Sequence, residues 1–172
     1  AVTTIPTAGI ADGAVDTTQI ADDAVTIAKA TGFGKIGQVV STLTNDNLTT
    51  NSTSYSSIMS LSITPSSTSS KILIHHTAVS DVVLSNTSNI GHIALFRDST
   101  NITTAGHNSS YHSYTGRSRA SGSAIMHLDS PSSAGAISYS VRGKVDNTGL
   151  TMNYGTSTQQ RCVSLTLMEV LA

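Results

Sequence analysis

The chain has 172 residues, 38% of them hydrophobic, a length that supports one ordinary domain with at most a short appendage. Nine Lys and Arg against ten Asp and Glu leave a net charge of −1 and no basic footprint for nucleic acid or an anionic membrane. The apolar runs are far shorter than a bilayer span needs, no secretory signal is expected, and one Cys excludes an intrachain disulfide and suits a reducing cytosol.

The first thirty residues contain a ten-residue repeat, in which Ile10–Gln19 is followed directly by the similar Ile20–Lys29. Branched apolar residues recur every five positions, at Ile5, Ile10, Val15, Ile20 and Val25. A period of five matches neither a helix nor a strand, and Asp and Gly punctuate each copy. The pattern predicts short extended pieces joined by turns, with one short helix over Ile20–Ala30 as the alternative.

A segment with one apolar residue in five cannot bury those residues within itself. Such repeats are ordered when identical copies wrap around a shared axis or dock on a partner. We therefore predict that residues 1–34 form an anchor or stalk that drives oligomerisation through the five repeat positions. Thr31–Gly34 is the expected hinge to a second domain over residues 35–172.

Serine and threonine make up 53 of the 172 residues and Glu occurs once, a composition that opposes helices and favours extended structure. From Lys35 onward, short alternating segments are separated by clusters of Ser, Asn, Asp and Gly, including a loop over Asn45–Ser54. The predicted strands are Gln38–Thr44, Ser57–Thr64, Lys71–Val79, His92–Arg97, Ile102–Ala105, Ser123–Leu128, Ile137–Val145, Leu150–Tyr154 and Cys162–Leu171. Eight or nine short strands predict an all-β fold, a jelly-roll-like β-sandwich, with a barrel as the alternative.

The titratable residues offer little for catalysis or metal binding. No GxSxG, HExxH, GxxxxGK[ST] or CxxC motif is present, and most Asp residues, such as Asp98 and Asp129, lie in predicted turns. His75 and His76 are adjacent in a predicted strand and point to opposite faces, so they cannot chelate one ion within a chain. His76 could line the axis of a trimer, or serve as an ordinary buried or interface histidine. We predict no enzyme activity, no metal and no cofactor.

The segment Gly106–Arg119 concentrates aromatic and basic residues without apolar periodicity, which predicts a loop. Tyr stacks on sugar rings, and Arg and His add hydrogen bonds and positive charge. The segment is a candidate contact for a receptor or a neighbouring subunit, with a plain solvated loop as the alternative. The candidate contact residues are His107, Tyr111, His112, Tyr114, Arg117 and Arg119.

The Ile-Ala-Asp-Gly-Ala-Val repeats resemble those near the N-termini of bacteriophage tail-fibre and other virion appendage proteins. Ala94–Thr100, His127–Gly135 and Ser164–Ala172 resemble the β-rich C-terminal domain that often follows such repeats. The resemblance implies a homotrimer in which a thin stalk or anchor leads to a jelly-roll head. It also implies a location in the virion, after assembly in the host cytoplasm.

Three functions remain open at this point. The first is a non-enzymatic fibre or spike that attaches to a host surface glycan or protein through loops of the head. The second is a capsid decoration or head-fibre protein that docks on other virion proteins through its N-terminal repeats. The third is a monomeric carbohydrate-binding module. None of the three predicts a nucleic-acid partner or membrane insertion.

Overall fold

Alternation of apolar and polar residues builds the strands, most plainly over Ile137–Val145, where Tyr139 and Val141 are fully buried. The computed structural model describes residues 36–44, 48–83, 89–103, 108–112, 118–146, 151–154 and 163–171. Every regular element in these ranges is a β-strand, and none of them contains a helix that could cross a membrane. The strands are β1 (Ile36–Thr44), β2 (Leu48–Thr50), β3 (Ser56–Ile63), β4 (Lys71–Val83), β5 (Asn89–Arg97), β6 (Thr100–Asn101), β7 (Asn108–His112), β8 (Ser118–Asp129), β9 (Ile137–Val145), β10 (Thr151–Tyr154) and β11 (Val163–Val170).

The strands form two antiparallel sheets, one of six strands and one of five. In the six-stranded sheet, β4 pairs with β8 along one side. On its other side β4 pairs with β11 over its first half and with β10 over its end. Strand β1 pairs with the free side of β11, and β2 with the free side of β10. In the five-stranded sheet the order is β3, β9 and β5. The other side of β5 pairs with β7 near its start and with β6 at its end. The chain crosses from one sheet to the other six times, and the longer strands are ordered β1-β11-β4-β8 in one sheet and β3-β9-β5-β7 in the other, which is the jelly-roll arrangement. The predicted sandwich is confirmed in preference to a barrel.

The core lies between the two sheets. From the six-stranded sheet it takes inward-facing residues of β4 and β11, such as Ile74 and Leu167, and from the five-stranded sheet residues such as Leu95 and Val141. Burial of this apolar surface is the main stabilising contribution to the sandwich.

Three strand predictions differ from the structure. The predicted loop over Asn45–Ser54 contains β2, whose β-favouring Thr residues extend the sheet beside β10. The return strand is not Ile102–Ala105 as predicted but β6, Thr100–Asn101, in the predicted turn; Ile102 and Thr103 are not in a strand, and residues 104–105 lie outside the described residues. Opposite Leu95, the Thr103 hydroxyl accepts the Leu95 N–H at 3.1 Å in place of a strand carbonyl. Strands β4 and β8 run longer than their predicted ranges because they pair with each other over twelve residues.

Asp98 turns the chain between β5 and β6 with φ of 52°, a left-handed conformation that Asp tolerates. Its carboxylate accepts the Ser138 N–H at 3.1 Å, and its own N–H donates to the Ser138 carbonyl at 2.7 Å. The predicted turn role of this residue is confirmed. The predicted anchor and the possible helix within it lie outside the described residues, as do all five repeat positions, so the division at residue 34 stays a prediction.

Candidate interaction surfaces

The predicted contact segment is not one loop. Tyr111 and His112 belong to β7, where they pair with Ile90 and Asn89 of β5, and Arg119 belongs to β8. An edge strand draws its stability from backbone hydrogen bonds to its neighbour, so β7 forms without the apolar periodicity that the prediction required. His107, Tyr114 and Arg117 lie outside the described residues. The structure therefore brings Tyr111 and His112 to an edge of the five-stranded sheet and places Arg119 on the other sheet.

His75 and His76 point to opposite faces of β4, as predicted, but His76 faces the core and is fully buried. Its Nδ1 lies 2.8 Å from the Ser164 carbonyl oxygen and donates to it, while its Nε2 has no hydrogen-bond partner. Burial lowers the pKa of His76 below its usual 6.5, the Ser164 bond opposes that shift, and His75 adds to it. A residue enclosed between the sheets of one chain cannot line a trimer axis, so that hypothesis is wrong.

Two buried carboxylates join separate parts of the sandwich. Asp129 ends β8 and lies in the core rather than in a solvent-exposed turn, which corrects its predicted role. Arg97 Nη1 donates to both of its oxygens at 2.9 Å, and the Tyr139 hydroxyl donates to Oδ2 at 2.7 Å. Burial and the Asp129 carboxylate raise the pKa of Tyr139, so its hydroxyl stays a donor.

The second buried carboxylate is Glu169 of β11, which is 1% exposed. It accepts the Ser66 N–H at 2.6 Å, the Ser66 hydroxyl at 2.7 Å and the Gln38 amide at 2.8 Å. Burial alone would raise the pKa of Glu169, but these hydrogen bonds outweigh it and lower that pKa from 4.5 to about 2. Both carboxylates are engaged in joining strands and loops.

Cations and aromatic rings alternate on the outer side of the five-stranded sheet. The Arg142 guanidinium lies 4.2 Å from the centre of the Phe96 ring, Phe96 and Tyr55 meet edge to face at 5.3 Å, and Lys144 lies 5.3 Å from the Tyr55 ring centre. Arg142 also donates to Ser140 and to the Asp98 carbonyl, so it is held in place. We call these four residues the cation–aromatic cluster. Phe96 is buried, so the groups of the cluster that a ligand could reach are the partly exposed Tyr55, Arg142 and Lys144. An aromatic ring beside fixed cations suits sugars that carry acidic groups.

The outer side of the six-stranded sheet exposes large apolar side chains among polar ones. Val39, Met168, Leu73 and Leu128 are register partners across β1, β11, β4 and β8 and form one unbroken apolar row. The exposed large hydrophobic residues of the described chain all lie on this side: Ile36 (50% exposed), Val39 (55%), Leu43 (61%), Met126 (69%) and Leu128 (48%). We call the outer side of β1, β11, β4 and β8 the apolar face.

Sequence reasoning missed the apolar face, although a signal was present. In β8, Ile125 faces the core while its neighbours Met126 and Leu128 face outward, so apolar residues occupy both sides of the strand. Strands with apolar residues on both sides are typical of sheets covered on both faces.

Among the described residues, no three His, Cys, Asp or Glu side chains lie close enough together to hold a metal ion.

Comparison with known proteins does not identify a family for this chain. No protein family and no curated protein match this sequence. Among solved structures, the chain is similar to the crystal structure of the infectious bursal disease virus VP2 subviral particle, with 13% identity and a TM-score of 0.39. That match covers 78% of this chain and 38% of the other, so this chain spans well under half of its length.

Proposed function

We propose that this chain is a non-enzymatic structural protein of a bacteriophage virion, a homotrimeric fibre or spike with a jelly-roll head. One observation carries the proposal: the first strand of a jelly roll begins at Ile36, directly after the decapeptide repeats and their glycine hinge. A repeat segment followed by a β-rich head is the order found in the appendage proteins that the sequence resembles. Jelly rolls also recur in viral shells and in lectins, so the fold is compatible with this role.

The buried polar groups support a structural role. Asp129 with Arg97 and Tyr139, and Glu169 with Ser66, are each engaged in hydrogen bonds that join strands or loops. These groups hold the fold together, and a protein that must survive outside a cell gains from such cross-connections.

Host attachment is the role we propose for the head. The cation–aromatic cluster and the β7 edge, which carries Tyr111 and His112, both belong to the five-stranded sheet. An acidic surface glycan would meet the partly exposed Tyr55 ring and the cations Arg142 and Lys144 there. In the described residues this sheet is thus the better candidate for receptor contact, and the remaining predicted contacts, His107, Tyr114, Arg117 and Arg119, are proposed to contribute from the neighbouring segment.

The first test is the solution mass of the full chain by light scattering. We expect about three times 17.7 kDa. A monomer would overturn the appendage proposal and favour the carbohydrate-binding module. A trimer that binds isolated phage capsids and not host cells would favour the decoration or head-fibre role instead.

The second test addresses attachment. The full chain and the variants Arg142→Ala and Tyr111→Ala are applied to an array of neutral and acidic bacterial glycans. We expect binding to acidic glycans that falls at least tenfold in either variant, and no change in Thr68→Ala, an exposed position in the turn between β3 and β4. Equal binding by all four proteins would contradict the attachment role.

A further inference from the structure

The apolar face is poorly suited to remain in water. Its one complete row, from Val39 to Leu128, contains four large apolar side chains, and Leu43 and Met126 extend it along both edge strands. Contiguous exposed apolar surface of this kind marks a protein contact rather than a solvated surface. The face lies on the opposite side of the sandwich from the cation–aromatic cluster, so both can be occupied at once.

Most polar groups of the face bond each other within the sheet, whereas the imidazole of His75, between Thr166 and Met126, is partly exposed there. The hydroxyls of Ser41 and Thr166 bond each other at 2.9 Å, and those of Thr77 and Ser164 do so at 2.7 Å. Their hydrogen bonds are therefore made within the sheet, and covering them costs little desolvation. Among the described side chains of the face, Lys71 at its rim carries the one permanent charge. A nearly uncharged surface is complementary to a partner surface that also carries few charges.

A second copy of this chain meets that requirement and is favoured by where the strands begin. Ile36 is both the first described residue and part of the apolar face, so the 35 preceding residues join the head at the rim of this face. Copies that associate through the face bring the C-terminal ends of their repeat segments together. The repeats need this proximity, because their five-residue spacing buries apolar side chains only among several chains.

The apolar face alone is smaller than a standard stable interface. Four strands about 4.8 Å apart and about seven residues long give roughly 400 Å² in projection. A standard stable interface buries about 800 Å² on each partner. The face alone is too small for a tight contact, so the repeat segments must supply the remainder.

We infer that the apolar face is the contact between heads of neighbouring copies around the trimer axis, an inference that rests on the trimer proposed above. A threefold ring cannot pair a surface with itself, so each contact is between two different patches. The two edge strands of the face provide such patches. Leu43 on β1 of one copy lies against Met126 and Leu128 on β8 of the next.

The test uses the full chain with Leu43→Glu or Met126→Glu, each of which places a charge at a position more than half exposed in the single chain. We expect the light-scattering mass to fall from three chains to one at micromolar concentration in both variants. The matched control is Ser60→Glu on the outer side of the five-stranded sheet, which should remain a trimer. Far-ultraviolet circular dichroism and urea titration verify that each variant is folded, and Leu43→Gln replaces any Glu variant that is not.

The outcomes separate the two proposals. A wild-type trimer with all face variants still trimeric overturns the assigned face and leaves the proposed appendage intact, with assembly through the repeats alone. A monomeric wild type overturns both.

Cross-linking then tests the arrangement of the contact. In a Cys162→Ser background, a short bismaleimide should join three chains that carry both Leu43→Cys and Met126→Cys, and should leave either single variant as one chain. Dimers from a single variant, or no covalent trimer from the double variant, would overturn the ring of unlike patches.

Discussion

The Tyr139 hydroxyl donates to Oδ2 of Asp129 at 2.7 Å, and this bond connects the five-stranded sheet to the six-stranded sheet. Tyr139 is fully buried, and Asp129 also receives two bonds from Arg97. Apolar packing between the two sheets is not directional, so it does not by itself fix how one sheet is positioned over the other. This hydrogen bond is directional and fixes the position of β9 over β8.

Replacing Tyr139 with Phe should destabilise the sandwich by about 1 to 3 kcal/mol, because the ring stays and a buried carboxylate loses one of its donors. Urea denaturation monitored by circular dichroism measures the change. Tyr55→Phe is the control, since Tyr55 is part-exposed and contacts its neighbours through its ring. Equal midpoints for the two variants would mean that the bond between the sheets contributes nothing measurable.

Glu169→Gln should cost about 2 to 3 kcal/mol at pH 7, because hydrogen bonds to a charged, buried acceptor are the stronger ones. The cost should depend on pH. Since the pKa of Glu169 is lowered from 4.5 to about 2 by folding, its stabilising contribution is complete above pH 4.5 and is lost as the pH falls from 4.5 through 2. The difference in urea midpoint between wild type and variant should therefore shrink over that range.

Asp146→Asn provides the comparison for Glu169→Gln. Asp146 pairs with His92 at 2.6 Å but is largely exposed, so its replacement should change the free energy of unfolding by less than about 1 kcal/mol at pH 7. A Glu169→Gln deficit that stays constant down to pH 2 would show that the charge of Glu169 is not what stabilises the fold.

His76 predicts a second, separate pH dependence. Its pKa is lowered by burial, so the folded state holds it neutral and binds fewer protons than the unfolded chain. Its contribution is complete above pH 6.5 and is lost as the pH falls below that value. The urea midpoint of the wild type should fall between pH 8 and pH 5, and His76→Met should flatten that fall. If the urea midpoint of His76→Met fell between pH 8 and pH 5 as steeply as that of the wild type, the pH dependence would belong to other groups.

Alternation along the sequence was sufficient to predict the strands whose one side is buried. Strand β9 has the predicted bounds, and β3 and β11 differ from theirs by one residue at each end. Alternation identifies which side of a strand is buried, but not which strand lies beside it. The pairing of β4 with β8, and with it the row from Val39 to Leu128, depends on contacts between residues far apart in sequence.

The hydrogen bonds of the buried polar side chains could not be predicted from the sequence, for a related reason. Asp129 precedes Ser and Pro, a sequence typical of a turn, and only the position of Tyr139 on the other sheet makes it a core residue. Strand β7 escaped because an edge strand is specified by its neighbour's free backbone groups rather than by its own side chains. Both cases are tertiary contacts that override a local pattern.

Gly37 in β1 offers a test of how closely the first strand packs on the end of β11. A Cβ at this position would lie 2.9 Å from Leu171 Cδ2 and 3.1 Å from Glu169 Oε2. Leu171 can turn aside, but the Glu169 carboxylate is fixed by Ser66 and Gln38, so Gly37→Ala should destabilise the head by about 1 to 2 kcal/mol.

Gly135 is the matched control for Gly37, because a Cβ there would meet Ser133 Oγ at 3.6 Å, an ordinary contact. Gly135→Ala should leave the free energy of unfolding unchanged or raise it by up to about 1 kcal/mol, since alanine restricts the unfolded chain. The urea denaturation midpoints of the two variants measure this difference in stability. A Gly37→Ala variant as stable as Gly135→Ala would mean that β1 moves away from Glu169 at little cost, and that the edge strand of the apolar face is held less firmly than these distances indicate.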